Sequence, residues 1–211
     1  MSKNIYGYIK SKLDGTEHIF EPNKTIDLPS SYSYKNYLPK VLDQGSEPIC
    51  VPCSITSYIN WNIAINNNED EKDYNVDVYE IYDSRSNNDE NNGMMIKEAL
   101  SYLKHYGVKT DNGRFKIKGY SMIRSEIALK HAIVMNGICI AGLPTYNTPL
   151  DDFWNENNSE EFLGGHAIAL IGFDENGYII RNSWGSGYGY DGYSHISYED
   201  FNKFYEIWTL Y

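Results

Sequence analysis

The hydrophobic pattern changes its period part-way along the 211-residue chain, and this change is the strongest constraint on the fold. Before Asn136-Gly137, apolar residues recur at three and four positions, which is the spacing of one buried helix face. After it, apolar residues come in short, nearly continuous runs separated by Gly, Asn and Asp, which is typical of buried strands. Helices followed by strands of the antiparallel type predict an α+β protein with two lobes.

The helical period predicts four helices. They span residues 50–65, 76–82, 94–106 and 123–135. Pro52 fixes the start of the first one, because proline is tolerated only in the first turn of a helix. The strand pattern predicts five strands, at residues 138–143, 167–173, 178–180, 193–196 and 207–210.

Charge and cysteine content exclude several classes of protein. Asp and Glu outnumber Lys and Arg by 29 to 18, so the chain lacks the basic surface that nucleic-acid binding requires. No apolar run approaches the roughly 20 residues of a membrane span, and the N terminus has no continuous apolar stretch typical of a secretion signal. Cys50, Cys53 and Cys139 cannot form a dense disulfide framework, and an odd count leaves a free thiol. We therefore expect a cytoplasmic protein without membrane or nucleic-acid partners, whose oligomeric state the sequence leaves open.

Four residues supply the parts of a site for nucleophilic catalysis. Cys50 lies at a predicted helix start, where exposed N–H groups and the helix dipole favour an anion and lower the pKa of a thiol. Six residues earlier, Gln44 offers an amide that would hold a developing oxyanion together with the Cys50 N–H. His166 follows two glycines that allow another chain to approach closely, and Asn182 lies where a carboxamide can orient an imidazole. A nucleophile, a base, an orienting group and an oxyanion donor form a complete acyl-transfer set.

These residues also carry a resemblance to a known family. Three motifs occur in the chain order of the papain-like cysteine peptidases: Gln44-Gly45-x4-Cys50, Gly165-His166-Ala167 and Asn182-Ser183-Trp184-Gly185. The flanking Asp27-Leu28-Pro29 is similar to the start of that family's mature domain, and Gly189-Tyr190-Asp191-Gly192-Tyr193 resembles its C-terminal strands. The resemblance covers roughly residues 27–200, and the combination of motifs is specific although each motif alone is weak.

The resemblance implies a fold and a domain organisation. It implies a papain-like two-lobed α+β fold with a helical lobe at roughly residues 44–110, an antiparallel β-barrel-like lobe at roughly 111–211, and the active site in the cleft between them. Residues 28–211 would form the peptidase domain and residues 1–27 an N-terminal extension. Secreted members of the family carry a long inhibitory pro-segment, which 27 residues cannot supply. We expect either that activity is restrained in another way or that residues 1–27 cover the cleft themselves.

The resemblance also implies a role for each catalytic residue. Cys50 would be the nucleophile and His166 its base, the two being paired as thiolate and imidazolium. Asn182 would accept the imidazole N–H, Gln44 would complete the oxyanion hole, and Trp184 would shield the contact between Asn182 and His166 from water. The family's usual cysteine three positions before the nucleophile is missing here, because Glu47 stands at that position, and this removes a usual disulfide.

The implied substrate-binding residues are Gly93, Met94, Gly142, Gly165 and Trp184. The backbone of Gly93 would pair with an extended peptide, which is a strand-addition contact. Met94 and Gly142 would flank the pocket for the second residue before the scissile bond. The acidic loop at residues 151–161 is expected to be a solvated surface.

We therefore expect a hydrolase that cleaves peptide or protein substrates through an acyl-enzyme and uses neither a metal nor a cofactor. An acyl transferase on the same fold and a non-catalytic papain-like binding or structural protein remain open. A thiol–disulfide oxidoreductase is a remote alternative, because Cys50-Val51-Pro52-Cys53 is a Cys-x-x-Cys motif at a helix start. That alternative leaves Gln44, His166 and Asn182 unexplained.

Overall fold

Four α-helices occur among the residues that the structure describes. The protein is represented by a computed structural model that describes residues 6–23, 25–70, 72–86, 93–149, 152–156 and 161–211. The helices are α1 (Cys50–Asn67), α2 (Val78–Asp83), α3 (Ile96–His105) and α4 (Glu126–Asn136). The four predicted helices are thus confirmed, with ends shifted by up to three residues.

The strands are shorter at the start of the chain and longer at its end. They are β1 (Tyr8–Ile9), β2 (Tyr32–Ser33), β3 (Met94–Met95), β4 (Val108–Thr110), β5 (Gly113–Phe115), β6 (Tyr120–Met122), β7 (Cys139–Tyr146), β8 (Phe162–Asp174), β9 (Gly177–Arg181), β10 (Tyr193–Ile196) and β11 (Glu206–Leu210). Seven of them form one antiparallel sheet in the order β10-β9-β8-β7-β11-β6, with β2 added beside β8. The five predicted strands are confirmed as β7 to β11, and the α+β class is confirmed with them.

Helix α1 is the centre of the core. Every residue from Cys50 to Trp61 is buried, so the helix is enclosed on all sides. Two of its polar side chains are satisfied within the fold: the Thr56 hydroxyl donates to the Pro52 carbonyl at 3.0 Å, and the Ser57 hydroxyl accepts from buried Arg181 at 3.1 Å. The helix packs on β8, and this packing brings Cys50 beside the strand that carries His166.

The N-terminal residues run across both parts of the fold. Strand β1 pairs in parallel with β3, with Tyr8 opposite Met94. Farther along, Met122 of β6 donates its N–H to the His18 carbonyl at 2.8 Å and accepts from the Phe20 N–H at 2.9 Å. The division into a 1–27 extension and a 28–211 domain stays a prediction.

Within the described residues, no helix combines the length and the apolar character that crossing a membrane requires.

The turn after α4 gives a test of the core packing. Gly137 has a φ of +96°, and a Cβ there would lie 2.0 Å from the buried Trp61 ring. Gly113 has nearly the same φ, +97°, but a Cβ there would meet nothing within 4 Å. We expect Gly137→Ala to lower the free energy of unfolding by about 1–3 kcal/mol more than the control Gly113→Ala, because only Gly137→Ala overpacks the core. Urea denaturation of the two variants measures the difference, and equal losses would contradict the packing described.

Candidate active site

The sulfur of Cys50 lies at the first turn of α1, against two other parts of the chain. The residue is completely buried. Backbone hydrogen bonds from Ala167, Gly7 and Val51 favour the thiolate form of its sulfur. Ala167 directly follows His166 on β8, so the strand that carries His166 reaches the Cys50 sulfur through its backbone. Gly7 belongs to the N-terminal segment, which therefore reaches the sulfur as well.

His166 is fixed by one hydrogen bond. Its Nε2–H donates to Asn182 Oδ1 at 2.8 Å, and the backbone N–H of Ser183 donates to the same oxygen at 2.7 Å, which identifies that atom as the acceptor. The proton therefore resides on Nε2, and Nδ1 carries the lone pair of a base. Nδ1 is buried, and among the described residues it has no hydrogen-bond partner. A buried ring with one fixed N–H and one open lone pair is suited to take a proton from a neighbour.

Aromatic rings surround the imidazole. The Trp184 ring stacks on His166, with the ring centroids 4.6 Å apart and 24° between the planes. Trp184 therefore lies where it was expected to shield the contact between Asn182 and His166. Phe153 lies edge-on to His166 at 5.7 Å and packs on Trp184 at 4.9 Å. Phe153 comes from the loop that was expected to be a solvated surface, and this expectation is wrong for residues 153 and 154, which are both buried. The pairing of Phe153 and Trp154 within an acidic stretch is the signal that could have indicated burial.

Gln44 is held by the segment that carries Asn182. The Ser183 hydroxyl donates to Gln44 Oε1 at 2.6 Å, and the Gln44 backbone N–H donates to the Ser183 carbonyl at 2.9 Å. The Gln44 amide donates to the Glu47 carbonyl at 2.8 Å. Two of the sequence motifs are therefore joined by direct hydrogen bonds, which fix the Gln44 carboxamide in the loop that leads to Cys50.

The N-terminal segment, residues 6–9, lies over this site. The Tyr6 ring contacts both His166 and Trp184 edge-on, with each centroid separation 6.5 Å. Gly7 lies against the approach loop, since a Cβ there would be 2.1 Å from the Pro48 carbonyl oxygen. His166, like Cys50, is completely buried. The N-terminal segment therefore closes the site to solvent, which is one of the two arrangements expected from the sequence.

Two of the predicted substrate-binding residues contact this segment. The Met94 N–H donates to the Gly7 carbonyl at 2.8 Å. A Cβ on Gly93 would lie 2.5 Å from the Ile9 side chain, so only glycine leaves room for the segment. The position where a peptide was expected to add as a strand is thus occupied by β1.

The other two predicted substrate-binding glycines surround Tyr8. A Cβ on Gly142 would be 2.2 Å from the Tyr8 ring, and a Cβ on Gly165 would be 2.4 Å from the Tyr8 carbonyl oxygen. Because glycine has no side chain, Gly142 and Gly165 leave the space that Tyr8 fills. The structure therefore brings the predicted binding residues together around a piece of polypeptide.

The similarity to known proteins agrees with this geometry. The model of the papain family cysteine protease matches residues 112–207. Human cathepsin O is 26% identical over 218 residues, which cover 85% of this chain and 64% of that protein. The viral cathepsin of Adoxophyes honmai nucleopolyhedrovirus is 25% identical over 209 residues, which cover 83% of this chain and 59% of that protein. The chain thus spans less than two thirds of the length of these two relatives.

Solved structures show the same architecture. Xylellain, a cysteine protease from Xylella fastidiosa, matches with a TM-score of 0.83 at 21% identity, covering 99% of this chain and 96% of that one. Procathepsin B S9 from Trypanosoma congolense matches with a TM-score of 0.79 at 15% identity, covering 98% of this chain and 86% of that one. The chain is similar in sequence and in fold to papain-like cysteine peptidases. The papain-like two-lobed fold expected from the motifs is confirmed.

Burial controls the protonation of this papain-like site. It raises the pKa of Cys50 to about 11, although backbone hydrogen bonds oppose the shift. It lowers the pKa of His166 to about 4, against the opposing effect of the hydrogen bond to Asn182. Between these two values both groups are neutral. The expected lowering of the thiol pKa and the expected thiolate–imidazolium pair are therefore absent from the closed site, because desolvation outweighs the field of the helix start.

The remaining cysteines do not extend the site. Cys53 and Cys139 are free and buried, and burial raises the pKa of both thiols. A buried thiol with a raised pKa is a poor resolving group for a mixed disulfide, which weighs against the oxidoreductase alternative. In the part of the chain that the structure describes, no cluster of His, Cys, Asp or Glu side chains has the arrangement of a metal site.

The hydrogen bond between His166 and Asn182 has a measurable electrostatic effect. Because this bond raises the pKa of His166, Asn182→Ala is expected to lower that pKa further below about 4. NMR titration of the imidazole, from about pH 7 down to about pH 3, measures the midpoint. The control is Asn112→Ala, in the exposed turn between β4 and β5, which leaves the midpoint unchanged. An unchanged or raised His166 midpoint in Asn182→Ala would show that the bond does not act on the imidazole.

Proposed function

We propose that this chain hydrolyses peptide bonds, with Cys50 as nucleophile and His166 as base. The observation that carries the proposal is the fixed tautomer of His166, whose lone-pair nitrogen is buried in the same site as the Cys50 thiol. The similarity to papain-family cysteine proteases supports a hydrolase of this type.

The cleft supports a peptide as the substrate. Residues 7–9 already lie in it as extended polypeptide, paired with β3 through the Met94 N–H. A backbone held by strand pairing and seated between glycines needs no particular side-chain sequence for its main contacts. The cleft that accommodates the N-terminal segment therefore has the shape and the hydrogen-bond donors to accommodate an extended substrate.

The proposed reaction has two steps. His166 Nδ1 takes the thiol proton of Cys50, and the sulfur attacks the peptide carbonyl carbon. The developing oxyanion lies between the Cys50 N–H and the Gln44 amide. His166 then gives its proton to the leaving amine, the C–N bond breaks and a thioester remains. Water, deprotonated by His166, attacks the thioester and releases the carboxylic acid and the thiol.

Asn182 and Trp184 would support this base. The Asn182 Oδ1 keeps the Nε2 proton in place, so that Nδ1 stays the proton acceptor during both steps. Trp184 covers one face of the imidazole and keeps water from competing for the hydrogen bond.

The N-terminal segment must move before a substrate binds. Cys50 and His166 have no exposed surface, and Gly7 occupies the strand position that a substrate would take. The structure therefore represents the closed form of the proposed peptidase. In the open form the desolvation of both groups decreases, so the pKa of Cys50 falls and the pKa of His166 rises toward the values that an ion pair requires.

Substitution of the two helix cysteines tests the proposal. In a full-length Tyr8→Ala background, which loosens the N-terminal segment, Cys50→Ala is expected to lower peptide hydrolysis by about a thousandfold or more, because the nucleophile is lost. The matched control Cys53→Ala stays within about threefold, since Cys53 is a packing group one helical turn away. Cleavage of a fluorogenic peptide library measures both rates.

Other outcomes of this experiment would contradict the proposal or favour one of the alternative functions. Retained hydrolysis in Cys50→Ala would end the proposal. Loss of activity in Cys53→Ala would favour the thiol–disulfide oxidoreductase. Products that carry an added amine in place of water, seen by mass spectrometry, would identify an acyl transferase.

A further inference from the structure

We propose that Arg181 is a positioning residue that aligns the Asn182 carboxamide with the helix that carries Cys50. This inference rests on the proposed peptidase function and adds a residue to the set which that function requires. Its basis is a buried guanidinium that joins the end of β9 to α1 and to the loop at residues 40–44.

Arg181 is the last residue of β9 and directly precedes Asn182. Its backbone lies inside the sheet, opposite Ala169 of β8 on one side and Tyr193 of β10 on the other. The residue is only 3% exposed. The position of Arg181 therefore determines where the chain leaves the sheet and where the Asn182 side chain starts.

The guanidinium donates hydrogen bonds to three separate parts of the chain. The acceptors are the Ser57 hydroxyl of α1 at 3.1 Å, the Tyr193 hydroxyl of β10 at 2.5 Å and the Lys40 carbonyl at 3.1 Å. None of the ion pairs among the described residues includes Arg181. A buried charge without a carboxylate partner depends on such hydrogen bonds, and those from a charged donor are about twice as strong as neutral ones. The three acceptors are therefore held firmly around one group.

The hydrogen bond to Ser57 connects the end of β9 to the helix of the nucleophile. Ser57 follows Cys50 by seven residues, which is about two helical turns, so the two residues lie on the same face of α1. That face is turned to the sheet at both points, since Cys50 lies against Ala167 and Ser57 against Arg181. Sliding or rotation of α1 on the sheet would break the bond to Ser57. The bond therefore fixes the position of Cys50 relative to the end of β9.

Asn182 lies between two residues that are both bonded to the loop at residues 40–44. Arg181 reaches this loop through its guanidinium, and Ser183 reaches it through its hydroxyl and its carbonyl. The Nδ2 atom of Asn182 is buried and has no hydrogen-bond partner among the described residues, so that side of the carboxamide supplies no anchor. The direction of Oδ1 toward His166 therefore depends on the backbone that Arg181 and Ser183 hold.

Removal of the guanidinium tests this role in catalysis. In full-length Tyr8→Ala protein, Arg181→Met is expected to lower kcat by about tenfold or more and to leave KM within about threefold, because the base loses its orientation while the substrate cleft is unchanged. The control Arg124→Met, at an exposed position, leaves both constants unchanged. Hydrolysis of a fluorogenic peptide measures them, and labelling with an epoxysuccinyl inhibitor counts the active sites. An unchanged kcat in Arg181→Met overturns the inference.

NMR titration of the His166 imidazole distinguishes positioning from a direct effect of charge. The hydrogen bond to Asn182 raises the pKa of His166, so Arg181→Met in the same background is expected to lower the midpoint by about 0.3 pH unit or more. Loss of a positive charge that acts through space would raise the midpoint instead. Because Arg181 acts through Asn182, the variant that combines Arg181→Met with Asn182→Ala has the midpoint of Asn182→Ala alone. A raised or unchanged midpoint in Arg181→Met overturns the inference.

The outcomes separate this inference from the proposed function. Absence of both hydrolysis and inhibitor labelling in Tyr8→Ala overturns the proposed function, whereas the imidazole titration needs no hydrolysis and still decides the role of Arg181. If Arg181→Met does not fold, Ser57→Ala replaces it, because it removes a single acceptor. We then expect kcat to fall by about threefold relative to Ser54→Ala, a second buried serine of α1. Equal kcat values in the two serine variants overturn the inference.

Discussion

The burial of the Cys50 sulfur beneath the chain's own N-terminal segment is the constraint on which the rest of the site depends. Three separate pieces of chain meet at this atom: the head of α1, the strand that carries His166, and Gly7. Because water is excluded, the pKa of the thiol rises and that of the imidazole falls, and the two groups that would form an ion pair are both neutral. The N-terminal segment therefore has two effects on the site: it blocks access to the Cys50 sulfur, and it keeps Cys50 and His166 uncharged.

The glycines of the cleft explain how one surface can hold the N-terminal segment and, in the proposed function, a substrate in turn. Gly93, Gly142 and Gly165 each lack the atom that would collide with residues 8 and 9. Backbone atoms form the walls of the resulting channel, because the glycines have no side chains. The channel can therefore accept an extended main chain of any sequence. At one end of this channel the Tyr8 hydroxyl donates a hydrogen bond to Glu206 Oε1.

The sequence predicts those parts of the molecule that depend on local pattern. Helix α1 follows from Pro52 and the apolar period, and strands β7 to β11 follow from continuous apolar runs between turns. The grouping of Cys50, His166, Asn182 and Gln44 comes from motifs whose chain order is specific to the family. The short strands β2 to β6 were not predicted, because strands of two or three residues carry too little pattern and depend on distant partners.

The difference between local pattern and tertiary contact also explains which predictions about the site were wrong. The hydrogen bond of Tyr8 to Glu206 joins residues 198 positions apart, and the contact of Phe153 with His166 joins a loop to a strand. No local sequence pattern predicts either contact. The thiol pKa was predicted from the helix start alone, whereas its direction is decided by how much water the whole fold removes. Charge states at a buried site require the tertiary structure.

The rate at which iodoacetamide alkylates Cys50 at neutral pH, located by mass spectrometry, tests most directly whether the N-terminal segment keeps the site closed and neutral. The intact chain is expected to react slowly, since a thiol with a pKa of about 11 is ionised in about one molecule in ten thousand at pH 7. Tyr8→Ala is expected to react at least about tenfold faster because it weakens the closure, while Tyr190→Ala, at a position that is 80% exposed, leaves the rate unchanged. Equal, slow rates in all three proteins would contradict the account.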